Sequence, residues 1–294
     1  MLIRPTTVDE ALAVLDEHGS AATLIAGGQS LIPMMSAGLV RPDVLVDLGR
    51  IETPAPYRLD GDDVVIGLGC THRQVELAPS WLAAAAPLLP AAAPHIATLA
   101  IRNRGTFLGS LAHGDPSSEW PAVAMALDAE LEIASRRHRR TESIHDFLVG
   151  PMMTTIDIGE IVVGARWRGV PPDRRTWTGV DVAELAYRHG DYAVVGVVAA
   201  VAVDENSVVR HPRIAVFGIG SLPWRAREVE AHIEGAADPD LAGAGDLAAR
   251  LVDATSDVTA SADYRKRMTG VFVRRALDAA LGRARERRAR EEGC

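Results

Sequence analysis

The alternation of polar and apolar residues changes period several times along this chain, and each change predicts an element. Thr7-Val8-Asp9-Glu10 sets a hydroxyl and a carboxylate three residues apart, and Ala11, Leu12, Val14 and Leu15 follow at helical spacing. This predicts a helix ending near Gly19, with the Thr and Glu side chains satisfying its first amides. Ala22 to Ala26 reads as a short strand running into Gly27-Gly28-Gln29-Ser30, and Asp43 to Leu48 as a second strand after the Arg41-Pro42 break. Val64 to Leu68 is a third strand, and Thr71-His72-Arg73-Gln74 is another capping box opening a helix.

From Ser80 to Ala97, alanines punctuated by Pro87, Pro90 and Pro94 predict short helical pieces joined by kinks. A glycine-bearing loop is expected from Arg104 to Pro116, then a helix with Pro121 in its first turn, and strands at Glu130 to Ala134 and Glu160 to Arg166. Proline and charge cluster around Gly169 to Asp173, which divides the chain into domains at 1–172 and 173–294. Beyond lie strands at Val182 to Tyr187, Tyr192 to Val203 and Ile214 to Ile219. Helices follow near Arg225 to Ile233, Leu241 to Ala254 and Tyr264 to Leu281. Strands followed by helices predict a small α+β domain with helices on one face of an antiparallel sheet.

With 294 residues and 48% hydrophobic content the chain can bury a core in each of two domains. A net charge of -8 argues against nucleic acid as a partner. Two basic clusters, Arg136 to Arg140 and Arg283 to Arg290, are expected at a hairpin tip and a fraying helix end, as solvated surface. The two cysteines, Cys70 and Cys294, cannot build an iron-sulfur or zinc site, so any metal chemistry is expected in a partner. No long uncharged apolar run and no leader-like N-terminus occur, and the expected location is cytoplasmic.

The candidate chemistry rests on two glycine-containing segments, Ala26-Gly27-Gly28-Gln29-Ser30 and Gly105-Thr106-Phe107-Leu108-Gly109-Ser110. A diphosphate bound without a metal needs close backbone N–H groups; glycine permits the approach, and Ser, Thr and Gln add hydrogen bonds. Two such turns can grip one pyrophosphate from both sides, although a tight turn after a strand is the commoner meaning of either alone. Gly67-Leu68-Gly69 and Gly218-Ile219-Gly220 do not complete a dinucleotide fingerprint and read as strand ends, and no P-loop is present. His113 and Asp115 read as a turn more readily than as an acid/base pair, Arg102 and Arg104 as loop-fixing or interface residues, and Cys70 as a small core residue.

Three stretches carry a more specific signal: Ile25 to Met35, Ile101 to Pro116, and Tyr264-Arg-Lys-Arg-Met-Thr-Gly-Val-Phe-Val-Arg-Arg275. In this order, and with the rest of the chain between them, they resemble the medium, FAD-binding subunit of the xanthine oxidase and aerobic carbon monoxide dehydrogenase family of molybdenum hydroxylases. The resemblance implies an α+β fold, with a two-subdomain FAD-binding domain of the vanillyl-alcohol oxidase type and a C-terminal domain of the flavoprotein subunit. It implies FAD bound by Ala26, Gly27, Gly28, Gln29, Ser30 and Leu31 and by Thr106, Phe107, Leu108, Gly109 and Ser110 around the diphosphate. Glu119 would serve the ribityl or adjoining part, Ala97 the flavin end by its backbone, Tyr192 the ring, and Ile161 or Val162 the lining of the same pocket.

The same resemblance implies electron transfer and not substrate oxidation, and it assigns no catalytic acid or base to this chain. A large subunit would hold a molybdopterin-type molybdenum cofactor, a small subunit two-iron two-sulfur clusters, and the assembly would be a dimer of heterotrimers. Leu108 departs from the family pattern by replacing a glycine. If that position requires a positive φ, the loop is strained and holds FAD more loosely. The alternatives are therefore a structural subunit that has lost tight FAD binding and a stand-alone flavin oxidase. Glu184 stands near where some relatives carry a lysine approaching the cofactor, and that contact does not carry over.

Overall fold

The structure, a computed structural model, describes residues 1–53, 55–169 and 176–292. They divide into two compact units that interleave along the chain: 1–77, 98–114 and 128–169 form the first, and 78–97, 115–127 and the residues from 176 onward the second. The expected boundary at 172 and 173, and Cys294, lie outside the described residues.

The first unit opens with strand β1 (Leu2–Ile3), helix α1 (Val8–His18), strand β2 (Ala22–Ile25), helix α2 (Leu31–Ser36) and strand β3 (Val44–Asp47). The strands make a parallel sheet in the order β1-β3-β2, with Leu24 opposite Val46. Helix α1 buries Ala11, Leu12 and Leu15, and the Thr7 hydroxyl caps it by accepting from the Glu10 amide at 3.1 Å. The Glu10 carboxylate reaches one residue further back than a capping box requires and accepts from the Thr6 amide at 2.7 Å.

Strands β4 (Tyr57–Asp60) and β5 (Asp63–Gly67) and helix α3 (His72–Glu76) follow. At α3 the capping box is complete: the Thr71 hydroxyl accepts from the Gln74 amide and the Gln74 side chain accepts from the Thr71 amide. The chain then passes through α4 (Ser80–Ala85) and α5 (Leu88–Ala92), which belong to the second unit. It rejoins the first with α6 (Leu99–Arg102) and α7 (Phe107–His113), and α8 (Glu119–Ala126) is again in the second. The first unit is completed by β6 (Glu130–Ala134), β7 (Arg139–Ser143), α9 (Ile144–Phe147), the hairpin β8 (Leu148–Gly150) and β9 (Met153–Thr154), and β10 (Ile161–Arg168). Its larger sheet is antiparallel in the order β4-β5-β10-β6-β7, with Leu131, Ile133, Ala165, Trp167 and Val64 to Ile66 buried. At the β6–β7 tip Arg136 and Arg137 are exposed, whereas Arg140 is pinned between Glu142 and Glu160.

The second unit holds a four-stranded antiparallel meander, β11 (Thr176–Leu185), β12 (Val195–Asp204), β13 (Val209–Phe217) and β14 (Trp224–Arg225), and the helices α10 (Arg227–Ile233), α11 (Leu241–Leu251) and α12 (Ala262–Glu292). Residues 195–203 of β12 are all buried, which explains why this strand reads as an unbroken apolar run instead of alternating. Tyr192, expected in that strand, precedes it in the loop before Val195. Helix α12 lays Val273, Ala276, Leu277, Ala280 and Ala284 into the core. It lies so close to β11 that a β carbon on Gly179 would fall 2.0 Å from the Ala280 carbonyl oxygen.

The basic C-terminal run does not fray. Arg283 donates to the Val180 carbonyl, Arg285 to that of Ala237 and Arg287 to that of Thr178, and Trp177 Nε1 donates to Glu291 at 2.8 Å. The arginines supply donors to backbone carbonyls, which a composition-based reading of charge does not detect.

Candidate functional site

The two glycine segments meet within the first unit. Gly27 sits directly against the second segment: a β carbon there would fall 2.2 Å from the Arg104 carbonyl oxygen and 2.6 Å from the Gly105 Cα. Gly28 has φ of +71°, and the Gln29 side-chain amide donates back to the Gly27 carbonyl at 2.8 Å, fixing the turn. Helix α2 then starts at Leu31 without a side-chain cap from Ser30, so the turn presents backbone amides that Ser30 does not consume.

The second segment differs from its expected form. Thr106 is extended, but Phe107 to Ser110 are the first turn of α7, capped by the Thr106 hydroxyl, which accepts from the Gly109 amide at 3.2 Å. The missed signal is Thr106 itself, an N-cap residue followed by the apolar Phe107, Leu108 and Leu111, all buried. Leu108 is helical and is not among the residues with positive φ. The expected strain is therefore absent, and with it the reason for inferring a loosened loop. Phe107 and Leu108 both turn their side chains into the core, with Phe107 6.1 Å from the Trp167 ring, so neither side chain serves a ligand. Across the segment, a β carbon on Gly109 would lie 3.6 Å from the Ala26 β carbon.

Residues 70–72 hold this arrangement in place. The Phe107 amide donates to the Cys70 carbonyl and the His72 amide to the Gly105 carbonyl, both at 2.9 Å, and Thr71 bridges Thr106. His72 is buried with its ring against Gly105; burial and then the Arg102 charge push its pKa down to about 4, so it stands neutral. Arg102 grips Glu76 through two donors at 2.9 and 3.2 Å, the loop-fixing role expected of it. Burial pushes the Cys70 thiol up to about 12, as befits an inert core cysteine. Ile161 and Val162 open β10 as buried residues opposite Ala134 and Ile133.

The second unit gathers Ala97, Glu119 and Tyr192. Ala97 holds φ of +42°, a conformation that costs a residue bearing a β carbon on the order of 1 kcal/mol or more. Gly190, at φ of +86°, packs on it so tightly that a β carbon would fall 2.9 Å from the Ala97 carbonyl oxygen. Although 61% of the Tyr192 surface is exposed, its hydroxyl feels the Asp115 carboxylate. The protein around that hydroxyl, and then the Asp115 carboxylate, raise its pKa to about 12. Asp115 is buried and accepts from the Ser117 amide at 2.8 Å, and Gly114 closes α7 in the left-handed conformation, so the expected turn begins at Gly114, with His113 the last residue of the helix. Glu119 opens α8, and burial first, then the charges of Glu184 and Asp115, raise its pKa to about 8. Sequence reasoning missed Gly190, His95 and the involvement of Asp115 and Glu184, because nothing local in the sequence brings these segments together.

Among the described residues no cluster of His, Cys, Asp and Glu is suited to a metal ion, and no helix is long and apolar enough to cross a membrane. The chemistry on offer is a backbone cradle for an anionic group in one unit and a strained backbone, a tyrosine and buried acids in the other.

Comparison with known proteins gives this arrangement its context. Residues 1–166 match the family described as the FAD binding domain in molybdopterin dehydrogenase, and residues 182–280 the CO dehydrogenase flavoprotein C-terminal domain. The 6-hydroxypseudooxynicotine dehydrogenase complex subunit alpha of Paenarthrobacter nicotinovorans is 36% identical over 95% of this chain and 93% of its own length. The carbon monoxide dehydrogenase structure from Hydrogenophaga pseudoflava superposes with a TM-score of 0.89 at 34% identity, covering 96% of this chain and 97% of that one. Quinoline 2-oxidoreductase from Pseudomonas putida 86 superposes with a TM-score of 0.87 at 30% identity, covering 96% and 97%. The α+β fold expected from the sequence is the one these proteins share, and the chain belongs to the family of FAD-binding flavoprotein subunits of molybdopterin dehydrogenases, oxidoreductases of the carbon monoxide dehydrogenase and xanthine dehydrogenase type.

Proposed function

We propose that this chain is the electron-transfer subunit of a heteromeric molybdenum hydroxylase, receiving electrons from iron-sulfur clusters in a small subunit and passing them to an external acceptor. A large subunit holds the molybdenum cofactor and oxidises the substrate, and the complex is a dimer of such heterotrimers in the cytoplasm. The names of the similar proteins support this reading, since they are chains of dehydrogenase complexes. The observation that carries it is the closure of Gly27 on Arg104 and Gly105, a backbone approach that leaves no room for a β carbon, in a chain whose family binds FAD.

When bound, FAD supplies a two-electron store that can take up and release electrons singly. Ala26 to Leu31 and Thr106 to Ser110 lie around its diphosphate, with the Phe107 and Leu108 side chains turned into the core. Glu119 meets the ribityl or adjoining part, the Ala97 backbone the flavin end, and Tyr192 the ring, with Ile161 and Val162 lining the pocket. The two family matches also support a domain division near 172 and 173. No second reading is favoured, because Leu108 carries no positive φ.

The test is co-purification followed by reduction. The chain isolated from its native cells should come with two further subunits, and substrate should bleach its flavin absorbance only when they are present. A chain that purifies alone and oxidises a substrate by itself would instead be a stand-alone oxidase.

A further inference from the structure

Two segments of the second unit, 93–97 and 184–194, touch at two points. At the first, Glu184, near the end of β11, turns Oε2 toward His95 Nδ1 at 3.4 Å. At the second, Gly190, in the loop that follows β11, lies against the Ala97 backbone: a β carbon on it would fall 2.9 Å from the Ala97 carbonyl oxygen and 3.4 Å from its Cα. Between the two points Ile96 is buried, and its amide donates to the Ala93 carbonyl at 3.2 Å. The loop is closed at its base by the Val194 amide, which donates to the Leu185 carbonyl at 2.7 Å.

What these contacts hold is Ala97, whose φ of +42° is unfavourable for a residue with a β carbon. Strained backbone of this kind persists only where its surroundings over-determine it. Glycine would adopt such a φ unaided, whereas alanine must have it imposed. The Glu184 side chain is 10% exposed and that of His95 32%. Glu184 Oε1 is buried and accepts no hydrogen bond, so the carboxylate relies on His95 for compensation. His95 is held toward its charged form first by its bond to Glu184, against burial; Asp181 adds to this but is itself paired with Arg283. Strand β11 thus grips the chain two residues before Ala97, and the loop after β11 presses on Ala97 itself.

We propose that Glu184 and His95 are positioning residues: their ion pair, together with Gly190, clamps Ala97 in its positive-φ conformation and so sets the backbone that meets the flavin end of FAD. The last clause of this proposal rests on the assignment of Ala97 to the FAD site, whereas the clamp itself does not.

The experiment pairs amide hydrogen exchange with the Kd for FAD on the purified full-length chain. In Glu184→Gln and in His95→Gln the peptide spanning 93–98 should exchange about tenfold faster, and the double variant should show no further gain. Each single variant should raise the Kd for FAD about fivefold as Ala97 relaxes. In an Ala97→Gly background the same substitutions should raise it by less than about twofold, because glycine holds a positive φ without help. A pair that served stability alone would cost the same in both backgrounds. An unchanged Kd, or equal ratios in the two backgrounds, therefore overturns the positioning role. Exchange at 93–98 that is unchanged in both single variants overturns the clamp, and His95→Gln, at the less buried position, decides where Glu184→Gln does not fold. A wild-type chain that binds no FAD contradicts the cofactor assignment instead, and exchange alone then decides the clamp.

Discussion

Gly27 and Arg104, 77 positions apart in the chain, touch through backbone alone: a β carbon on the glycine would stand 2.2 Å from the arginine carbonyl oxygen. The obstacle is main chain on both sides, so no side-chain rearrangement relieves it. Gly27→Ala should separate the two segments, lower stability by about 2 kcal/mol, within the overpacking range, and weaken FAD binding by more than tenfold. A urea melt and a flavin titration of the variant measure the two effects.

Leu108 is a helical core residue, 3% exposed. Restoring a glycine in Leu108→Gly should therefore not tighten FAD binding. It should destabilise the chain by about 3–5 kcal/mol through the lost side chain and the lower helix propensity of glycine. Thermal unfolding and a flavin titration, compared with wild type, give both numbers.

His72 links pH to the stability of the first unit. Its pKa is about 4 in the folded chain, against an ordinary 6.5 when unfolded, so the unfolded state binds the proton more tightly. The contribution is fully present above pH 6.5 and is lost as pH falls from 6.5 toward 4. Within that window stability should fall by on the order of 1 kcal/mol per pH unit. His72→Gln should flatten this part of the curve of urea midpoint against pH.

Arg225 and Glu230 are paired in the second unit, with 7% and 11% of their side chains exposed, and Arg225 also donates to the Met125 and Ala126 carbonyls at the end of α8. Arg225→Ala leaves Glu230 buried without its partner and frees the helix end that starts at Glu119. It should cost about 3–5 kcal/mol, read from the urea midpoint of the second transition or of the whole chain.

How much of this was legible depends on the range of the interaction. Thr7, Thr71 and Pro121 act within a few residues of themselves, and the helices they open lie where the pattern puts them. The Gly27 and Gly105 segments were recognisable as a pair because glycine and hydroxyl residues recur in both. Their contact depends on 70–72, whose backbone bonds to Gly105 and Phe107 leave no trace in residue type. Thr106 was read as a ligand-binding hydroxyl when it is also a helix cap, and this changed the meaning of Leu108. The cluster of His95, Asp115, Glu119, Glu184 and Tyr192 comes from separate segments, and only Glu119 and Tyr192 were reached, through family resemblance. The arginines after Arg283 looked like solvated charge because their partners are carbonyl oxygens, which every residue has.

The central claim, that the cradle at Gly27 and Arg104 binds FAD, is tested most directly by the visible absorption spectrum of the purified full-length chain, with release and identification of any bound flavin. The account predicts a flavin spectrum and FAD at about one per chain, either as isolated or after incubation with FAD. A chain that stays colourless with added FAD, within a native complex equally short of flavin, would contradict it.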